Sequence, residues 1–537
     1  MHSQRPDTSS AAARRQLAIA AIAEGSAIAD GTVNAGAEFA APAASEGNVA
    51  AAPEATAPTL DDSTPVLGLI DVDQVAEAFD QLTAAFASQN PVLHAVAAKA
   101  VPLRPLLHFF AEAGAGCEVA SPGELELAAA AGFAPESIVF DSPAKTWTEL
   151  RRAVELGVSM NADNFEELAR LDILLEGRTT SARMGIRINP QSGAGRIGAL
   201  STATETSKFG IGLSDEGNRE ALIAAYLARP WLTQIHVHSG SQGVGLDQAA
   251  EGIAAVVDLA QEINARVAAG EGAGQGAGHP TDSAGRPTDS ARQVTRIDIG
   301  GGLPVNFAGE DITPTFADYR AAIDARIPAL FDFEIVTEFG RALLAKAGTT
   351  LTRVEYAKTT GGRRIAMTHA GAQVATRTAY APDDWPLRVL GFDPQGRPKT
   401  TEAVPTEAAP TESALTESAL TETVPTDVAG PACFAGDLIA RDRLLPRLDA
   451  GDLLAVPDTG AYYFSNSYSY NMLPRVPVYG YRSGEAGPAL EFLLIRRGQG
   501  IAEVLAEAGE AALTPLPHRS RKAGETDAKE QDALAPH

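Results

Sequence analysis

Lys99 is the residue of this sequence with the clearest potential for covalent chemistry, because it is the one charged residue in the apolar run Asn90 to Pro102. Small and β-branched residues in this run predict a buried strand with Lys99 near its end. Burial disfavours an ammonium ion and is expected to lower the pKa of Lys99, and a neutral amine can hold an aldehyde cofactor as a Schiff base. The alternative is a lysine at a strand end whose ammonium group reaches solvent.

Two later motifs supply the groups that such a cofactor needs. IDIGGG ends in Gly300 to Gly302, whose backbone amides can approach a phosphate because no Cβ obstructs them. In TEFGR, Glu338 could keep a pyridine nitrogen protonated, while Gly340 and Arg341 could reach the phosphate. A protonated pyridine ring is the electron sink that loss of CO₂ from an amino acid demands, so the two motifs together predict pyridoxal phosphate.

The motif HVHSGSQ ends another predicted strand and offers further contacts to the cofactor. We expect His238 to stack on the cofactor ring and Ser241, in the following turn, to donate its hydroxyl group. His236 is interpreted as a core histidine whose side chain points to the other face of the strand.

Eight apolar runs that alternate with amphipathic helices must position these residues. Over about 250 residues this number of strands predicts a (β/α)₈ barrel, with an open doubly wound sheet as the alternative. The predicted strands are Val92 to Ala98, Cys117 to Ala120, Ser137 to Asp141, Val158 to Ala162, Ala182 to Asn189, Gln234 to His238, Val294 to Ile299 and Glu334 to Thr337. Polar residues stand at their carboxyl ends, where barrel enzymes place their active sites: Lys99, Glu118, Asp163, Arg187, Asn189, His238, Gly300 to Gly302 and Glu338.

Composition divides the remaining chain into further segments. Residues 1–63 form an Ala/Gly/Ser/Pro-rich tract that predicts a disordered leader, and 64–340 form the barrel with a low-complexity insertion at 270–293. Short strand-like pieces separated by turns predict an all-β domain at 341–510, with a second insertion at 395–428 and a final helix near Ile501 to Ala508. Residues 511–537 read as a flexible tail.

Charge and cysteine content limit the class of partner and the compartment. The 537-residue chain has a formal net charge of −25, which argues against nucleic acid or an anionic membrane as a partner and favours a small molecule. No apolar run is long enough to span a bilayer. The two cysteines, Cys117 and Cys433, do not form a disulfide framework or a metal-ligand spacing, so we expect no metal and a cytoplasmic location.

These motifs, in this order, resemble the pyridoxal-phosphate-dependent decarboxylases of alanine-racemase-like fold, also called fold type III. The ornithine, diaminopimelate and arginine decarboxylases belong to this group, and the resemblance to diaminopimelate decarboxylase covers roughly Thr64 to Ala508. The motifs that carry it are AAKA at Lys99, SKFGIGL, HVHSGSQ, IDIGGG, TEFGR, the CFAGD motif at Cys433, PDTGAY, and the YN pair at Tyr470 and Asn471.

The resemblance implies a role for each matching residue. Lys99 would bind the cofactor covalently, His238 would take part in catalysis beside its ring, and Cys433 would donate a proton. Arg341, Phe434, Asp437 and Tyr462 would contact the substrate. Cys433 and Tyr462 would enter the site from a second subunit of a homodimer. The cofactor contacts would come from Lys99, His238, Ser241, Gly300, Gly301, Gly302, Glu338, Gly340, Arg341 and Tyr462.

The chain also departs from the family pattern. Phe339 replaces the usual proline of TEFGR, Val101 replaces an asparagine after the lysine, and CFAGD replaces CESGD, so Phe434 stands where a glutamate contacts the distal end of the substrate. The PRPxLY segment is not found, because Arg377 and Tyr380 have a different spacing. We therefore expect an amino-acid substrate with a less polar distal end than diaminopimelate.

Two other functions are compatible with the cofactor motifs. An amino-acid racemase of this fold would place an arginine at the pyridine nitrogen, so Glu338 argues against it. A catalytically silent pyridoxal-phosphate-binding homologue would have no need to retain both Lys99 and Cys433.

Overall fold

The computed structural model describes residues 9–32, 56–178, 180, 182–271, 293–400, 419–484 and 489–509. Two compact units divide the chain, Met1–Gly498 and Gln499–His537. The described part of the second unit contains the helix Ile501–Glu507, close to the predicted final helix. Among the described helices, none combines the length and the apolar character needed to cross a membrane.

In the first unit, the described residues include eight parallel strands that close into a barrel. They are β2 (Val92–Ala97), β3 (Gly116–Val119), β4 (Ile138–Phe140), β5 (Ser159–Ala162), β6 (Met184–Asn189), β8 (Leu232–Val237), β9 (Arg296–Asp298) and β10 (Glu334–Thr337). Each strand pairs with the next in this order, and β10 pairs with β2 to close the ring. A short strand, β7 (Ile211–Gly212), extends the end of β6. The predicted barrel and its eight strands are confirmed.

Helices connect consecutive barrel strands, and local sequence signals fix where several of them begin. They are α3 (Arg104–Glu112), α4 (Pro122–Ala131), α5 (Trp147–Leu156), α6 (Phe165–Leu175), α7 (Asn218–Ala228), α8 (Leu246–Ala268), α9 (Phe316–Arg326) and the short α10 (Arg341–Leu344) after β10. Thr146 and Thr315 each form a capping box with the acidic residue three positions later, which satisfies amide groups at the helix start. Gly132 and Gly157 end α4 and α5 in the left-handed conformation.

A second, mixed sheet forms the β domain and confirms the predicted all-β region. Its described strands include β1 (Val66–Asp71), β11 (Gly348–Thr360), β12 (Arg363–Thr368), β13 (Leu390–Phe392), β16 (Thr423–Ala429), β17 (Leu438–Pro446), β18 (Leu453–Pro457), β19 (Val478–Ser483) and β20 (Leu490–Arg496). The sheet order is β17-β16-β12-β11-β1-β19-β20, with β18 pairing to β11 and β13. A separate pair joins β14 (Lys399–Thr400) to β15 (Ala419–Leu420).

The first strand corrects the predicted boundary at residue 64. β1 pairs with β11 and β19, so it belongs to the β domain and not to the barrel. The chain enters the barrel through α2 (Val72–Ala85), which Asp71 caps by accepting a hydrogen bond from the amide of Gln74 at 3.0 Å. Strand pairing between segments as far apart as Val66–Asp71 and Val478–Ser483 leaves no local signal in the sequence, and this is why the boundary was misplaced.

The predicted disordered leader contains an ordered helix, α1 (Ala11–Thr32). Ile19 and Ile22 are completely buried and belong to one apolar cluster with Leu67 and Leu69 of β1. The alanine-rich composition of this segment suggested disorder, but alanine has the highest helix propensity. The apolar face of the helix is buried against β1. The prediction of disorder is therefore wrong for this helix, and the remaining leader residues up to 55 lie mostly outside the described residues.

The two predicted insertions have different outcomes. The first falls between α8 and β9 as expected, but its residues 272–292 lie outside the described part of the chain. The second was predicted too long, because the predicted range 395–428 overlaps the strands Lys399–Thr400, Ala419–Leu420 and Thr423–Ala429. Residues 401–418 and the predicted tail at 511–537 are outside the described residues.

Candidate active site

Lys99 lies directly after β2, in a short turn at the carboxyl end of the barrel. Its Nζ atom donates to both carboxylate oxygens of Glu118, at 2.6 Å each, and 43% of its side chain is accessible. Burial is the largest single influence and would lower the pKa of Lys99, but Glu118, Tyr462 and Glu338 together outweigh it and raise this pKa above its ordinary value. The predicted lowering of the pKa is wrong, because the sequence did not show which carboxylate would face the amine.

Glu338, at the end of β10, lies in a buried group of carboxyl side chains. One oxygen from each of Glu338, Asp141 and Asp298 and one nitrogen of His236 all lie within 4.8 Å of one another. Burial and the neighbouring Asp298 and Asp141 raise the pKa of Glu338 well above its usual range, and burial with Asp141 does the same for Asp298. Burial would raise the pKa of Asp141 too, but His236, Glu338 and Lys145 lower it below its ordinary value. The protonated form is therefore favoured for Glu338 and the ionised form for Asp141.

His236 was predicted to be a satisfied core histidine on the other face of the strand, and both parts of that prediction are wrong. It is 1% exposed, and its Nδ1 atom lies 3.2 Å from Asp141 Oδ2 while its Nε2 atom lies 3.6 Å from Glu338 Oε2. Neither nitrogen has a hydrogen-bond partner of good geometry among the described residues. Side chains two residues apart on a strand share a face, so His236 points into the barrel on the side that carries the site.

The glycine-rich turn after β9 forms a tight cradle with the turn after β8. Gly300 and Gly302 have positive φ angles of 66° and 106°, and a Cβ atom at Gly301 or Gly302 would collide with the carbonyl oxygen of Glu338 or Gly240. The amide of Gly301 donates to His238 Nδ1 at 3.1 Å, which fixes the orientation of that ring. Burial lowers the pKa of His238 well below its ordinary value, so its imidazole is neutral.

Ser241 follows the same turn after β8, where its amide donates to the carbonyl oxygen of Leu200 at 3.1 Å. The neighbouring Gln242 ties this turn to the segment after the glycines through two hydrogen bonds to the backbone of Val305, at 2.8 and 2.9 Å. The two turns that carry the predicted phosphate contacts are thus held together as one structure.

Tyr462 comes from the β domain of the same chain and reaches the barrel. Its amide donates to the carbonyl oxygen of Ala100 at 2.9 Å, and a Cβ atom at Gly340 would lie 3.4 Å from its hydroxyl oxygen. The guanidinium of Arg341 lies 4.7 Å from the centre of the Tyr462 ring. The implied entry of Tyr462 from a second subunit is therefore wrong, because its own chain already places it beside Lys99 and Arg341.

Arg377 is a site residue that the sequence reasoning set aside. Its guanidinium lies 4.8 Å from the centre of the Tyr462 ring and 5.0 Å from that of Trp385, and Arg341 packs against the same two rings. Arg341 is 4% exposed, and burial lowers its pKa to about 10. Nε and Nη1 of Arg341 and Nη1 of Arg377 have no hydrogen-bond partner among the described residues. Motif spacing in the sequence could not show that Arg341 and Arg377 lie close together. They do so because both guanidinium groups pack against the rings of Tyr462 and Trp385.

Cys433 and Phe434 lie on a different part of the β domain. Cys433 is exposed, and its amide donates to Asn471 Oδ1 at 2.7 Å. Phe434 stacks on Tyr380 with ring centres 5.3 Å apart and meets Tyr470 edge to face at 5.2 Å. Within the described part of the chain, no hydrogen bond, ion pair or ring contact joins Cys433 or Phe434 to Lys99, Glu338 or Arg341.

Asp437 has a structural position that does not fit the substrate contact implied by the resemblance. It is 3% exposed, and its two carboxylate oxygens accept hydrogen bonds from the amides of Ala372 and Ala432 at 2.6 Å each. These bonds hold the loop of Cys433 against the start of α11 (Ala372–Tyr380). The expected substrate role for Asp437 is corrected to that of a loop anchor.

The donor set of the barrel site fits pyridoxal phosphate. Glu338 Oε1 has no hydrogen-bond partner among the described residues, as expected of a carboxyl group that faces a pyridine nitrogen. Arg341 retains unpaired donors, and the glycine turn leaves no room for a Cβ atom where its backbone meets the next turn. The amine of Lys99 is accessible to solvent and lies, like Glu338 and the glycine turn, at the carboxyl ends of the barrel strands. Anchor, ring contact and anion contacts are therefore all present on one face of the barrel.

Comparisons with known proteins agree with this arrangement. Residues 72–271 match the family model described as the pyridoxal-binding domain of pyridoxal-dependent decarboxylases. The chain is 33% identical to a diaminopimelate decarboxylase of Pseudomonas aeruginosa over 71% of its own length and 79% of the relative. It is 30% identical to that of Pseudomonas fluorescens over 79% and 87%, respectively. The solved structure of Helicobacter pylori diaminopimelate decarboxylase complexed with L-lysine is 25% identical, with a TM-score of 0.63 over 83% of this chain and 97% of that one.

Proposed function

The chain belongs to the pyridoxal-phosphate-dependent amino-acid decarboxylases related to diaminopimelate decarboxylase, and on that basis we propose which of its residues carry out the reaction and which substrate they accept. The observation that carries the proposal is the layer of strand ends in which Lys99, the glycine turn and Glu338 meet. Removal of the α-carboxyl group of an amino acid is the reaction that this layer supports.

Lys99 is the covalent anchor of the cofactor in this proposal. When bound, pyridoxal phosphate supplies an electron sink for the electron pair that the departing CO₂ leaves behind. Glu338 supports that sink, because its raised pKa provides a proton at the position of the ring nitrogen. Glu118 holds the Lys99 amine in place through two hydrogen bonds of 2.6 Å.

The phosphate and the ring are oriented by rigid backbone. The turn of Gly300 to Gly302 and the guanidinium of Arg341 are proposed to bind the phosphate, with Ser241 in the adjoining turn. The amides of Gly300 and Gly301 already donate to Asp298 Oδ1 at 3.0 Å and His238 Nδ1 at 3.1 Å, and these bonds fix the shape of the turn. His238 is proposed to pack against the ring face, since its Nδ1 atom is already held by Gly301. Gly340 allows the close approach of Ala100, whose Cβ atom would lie 2.7 Å from a Cβ atom at this position, and Tyr462 completes this side of the site.

Protonation of the α-carbon is assigned to the Cys433 thiol, and this assignment requires a second chain. Cys433 is exposed and has no contact with the barrel site among the described residues, whereas Tyr462 reaches that site within one chain. We therefore propose a homodimer in which Cys433 and Phe434 of each chain serve the barrel of the other. The thiol is suited to the step because it is an exposed proton donor.

The substrate is proposed to be an amino acid without a distal ammonium group. Phe434 lies in an aromatic cluster with Tyr380, Tyr468 and Tyr470 and carries no charge that could pair with an ammonium ion. Leaving an ammonium ion unpaired in such a place costs several kcal/mol. Arg377 adds unpaired donors near the site, so a distal carboxylate is compatible with this end.

A panel of amino acids assayed for CO₂ release tests the substrate class. We expect higher kcat/KM for amino acids with apolar or anionic side chains than for meso-diaminopimelate. Phe434→Glu should raise kcat/KM for meso-diaminopimelate by about tenfold or more, as expected for one hydrogen bond between charged groups. Phe434→Leu is the matched control, because it removes the aromatic ring without adding charge. A parent enzyme that prefers meso-diaminopimelate over every less polar amino acid would contradict the assignment of Phe434.

A cytoplasmic location is also proposed. Cys117 and Cys433 are both free thiols, and Cys433 is exposed. An exposed thiol that must remain reduced for proton transfer suits a reducing compartment.

A further inference from the structure

Four side chains with metal-binding atoms converge inside the barrel. One atom from each of Asp141, His236, Asp298 and Glu338 lies within 4.8 Å of the other three. Asp141 follows β4 and Glu338 follows β10, while His236 and Asp298 lie on β8 and β9. None of the four residues is more than 7% exposed. The cluster is thus held by four strands of the barrel, which is a rigid setting for a set of ligands.

Several polar atoms of this cluster have no hydrogen-bond partner among the described residues. They are both ring nitrogens of His236, Oδ2 of Asp141 and Oε1 of Glu338. The other oxygen of Asp141 accepts a hydrogen bond from Asn161 at 2.9 Å, and Asp298 Oδ1 accepts one from the amide of Gly300 at 3.0 Å. These bonds orient the two carboxyl groups and leave them able to bind a further group. Buried polar atoms without partners are costly, and a bound cation would remove much of that cost.

The positively charged side chains around the cluster are engaged elsewhere. Lys145 donates to Glu167 at 2.7 Å, and Lys99 donates to Glu118 at 2.6 Å. The guanidinium of Arg187 packs over an aromatic ring, 4.4 Å from its centre. Within the described part of the chain, no lysine or arginine forms an ion pair with the three carboxyl groups of the cluster. The cluster therefore combines anionic ligands with room for a positive charge.

The ligand types select the class of cation. An imidazole nitrogen together with carboxylate oxygens suits Zn²⁺ and related divalent transition metals, whereas Mg²⁺ and Ca²⁺ prefer oxygen ligands alone. Zn²⁺ binds these atoms at about 2.0–2.2 Å, so the ligands of a tetrahedral site lie roughly 3.4 Å apart. His236 lies 3.2 Å from Asp141 and 3.6 Å from Glu338, measured from its two different ring nitrogens. One of these nitrogens would bind the cation, and small movements of the side chains would complete the site.

We propose that Asp141, His236, Asp298 and Glu338 form a binding site for a divalent transition-metal cation, which is filled only while pyridoxal phosphate is absent. The mutual exclusion rests on the proposed function, because Glu338 would serve both ligands. A cation bound to this carboxylate prevents it from holding a protonated pyridine ring, since two positive charges would then face each other across one anion. Free divalent metal therefore competes with the cofactor.

A Co²⁺ titration of the full-length protein, freed of cofactor, tests the site. The visible absorption of Co²⁺ distinguishes a tetrahedral set of nitrogen and oxygen ligands from a set that contains a thiolate. We expect one Co²⁺ ion per chain, displaced by Zn²⁺. His236→Phe and Asp141→Asn should each weaken binding by about 100-fold or more, because even groups behind a ligand change metal affinity by roughly 10- to 100-fold. Circular dichroism checks that the variants fold, and if one does not, the other provides the result.

His94→Phe and Cys433→Ser are the matched controls. His94 is a buried histidine on β2 that contacts Thr337 and no carboxylate, and Cys433 is an exposed thiol that could bind metal by itself. Both variants should bind Co²⁺ as the parent does. The site is overturned if the parent gives no tetrahedral cobalt spectrum, or if folded His236→Phe and Asp141→Asn bind Co²⁺ as tightly as the parent.

The holoenzyme tests the mutual exclusion. Saturation with pyridoxal phosphate should weaken Co²⁺ binding by about tenfold or more, and Zn²⁺ should weaken binding of the cofactor by the same factor. Equal Co²⁺ affinity with and without the cofactor would overturn the exclusion. A parent protein that binds Co²⁺ at the cluster but no pyridoxal phosphate would instead refute the proposed function. One that binds pyridoxal phosphate but, after its removal, no Co²⁺ would refute the cation site alone.

Discussion

Lys99 experiences two opposing influences on its charge. Burial is the largest single influence and disfavours the ammonium form, while the Glu118 carboxylate at 2.6 Å favours it and, together with Tyr462 and Glu338, raises the pKa above its ordinary value. A covalent bond to an aldehyde requires the neutral amine. Glu118 positions this amine, but it also raises the pH at which the ammonium group of Lys99 loses its proton. The same carboxylate can accept the proton when the amine reacts.

Substitutions at Lys99 and Glu118 separate these two roles. Lys99→Ala should abolish the covalent label that borohydride fixes between pyridoxal phosphate and the protein, as measured by peptide mapping. Glu118→Gln should keep the label, because the amine remains. Its labelling between pH 7 and 9 should be faster than in the parent, because the substitution removes the charge that contributes most to raising the pKa of Lys99 against burial. Retention of the label in Lys99→Ala would identify another lysine as the anchor.

At the scale of elements, the N-terminal helix α1 behaves as an integral part of the β domain. Its apolar face covers β1, and Arg14 pairs with Asp71 at 2.8 Å, the residue that caps α2. Arg15 pairs with Glu310, in the segment between the glycine turn and α9, at 2.5 Å. The helix therefore contacts both the strand that starts the fold and a loop on the active-site face of the barrel.

Ile22 tests whether α1 contributes to stability. Ile22→Ala should lower the free energy of unfolding by about 2–5 kcal/mol, because the side chain is completely buried. Urea unfolding measures the difference. Glu24→Ala, at an exposed position of the same helix, should stay within about 0.5 kcal/mol of the parent. Equal effects of the two substitutions would show that α1 does not pack on the sheet in solution.

At the scale of the whole molecule, charged groups connect the parts that surround the site. Glu310 forms ion pairs with Arg388, at 2.6 Å, and with Arg15. Burial would raise the pKa of Glu310, but the two arginines outweigh burial and lower this pKa to about 2. Arg388 in turn pairs with Asp458 at 3.0 Å, just before the turn that carries Tyr462. This series of ion pairs links α1, the loop after the glycines and the β domain.

Hybrid dimers test whether two chains share each active site. Lys99→Ala and Cys433→Ala should each be nearly inactive alone. Co-expressed copies with different tags should recover about a quarter of the parent activity, because half of the dimers are hybrids and each hybrid has one complete site. Light scattering on the parent should give the mass of two chains. A hybrid of confirmed composition without recovered activity would show that Cys433 does not act across the interface.

The sequence alone was sufficient to predict the barrel and to place the proposed cofactor residues on one face of it. Strand and helix periodicity are local properties, and residues at the carboxyl ends of barrel strands must share one face whatever the details of packing. This is why Lys99, His238, Gly300 to Gly302 and Glu338 could be brought together before any coordinates were known. The order of the motifs added the family and its chemistry.

Only the tertiary structure decided the features that depend on contacts between distant segments. β1 belongs to the β domain because it pairs with β11 and β19, and α1 is ordered because β1 offers an apolar surface. Arg377 joins Arg341 through rings that lie far apart in sequence, and His236 meets two carboxyl groups from opposite parts of the barrel. The charge of Lys99 was misjudged for the same reason. Whether Lys99 is buried can be predicted from the sequence of its own strand. The carboxylate that determines its charge, Glu118, lies on a neighbouring strand.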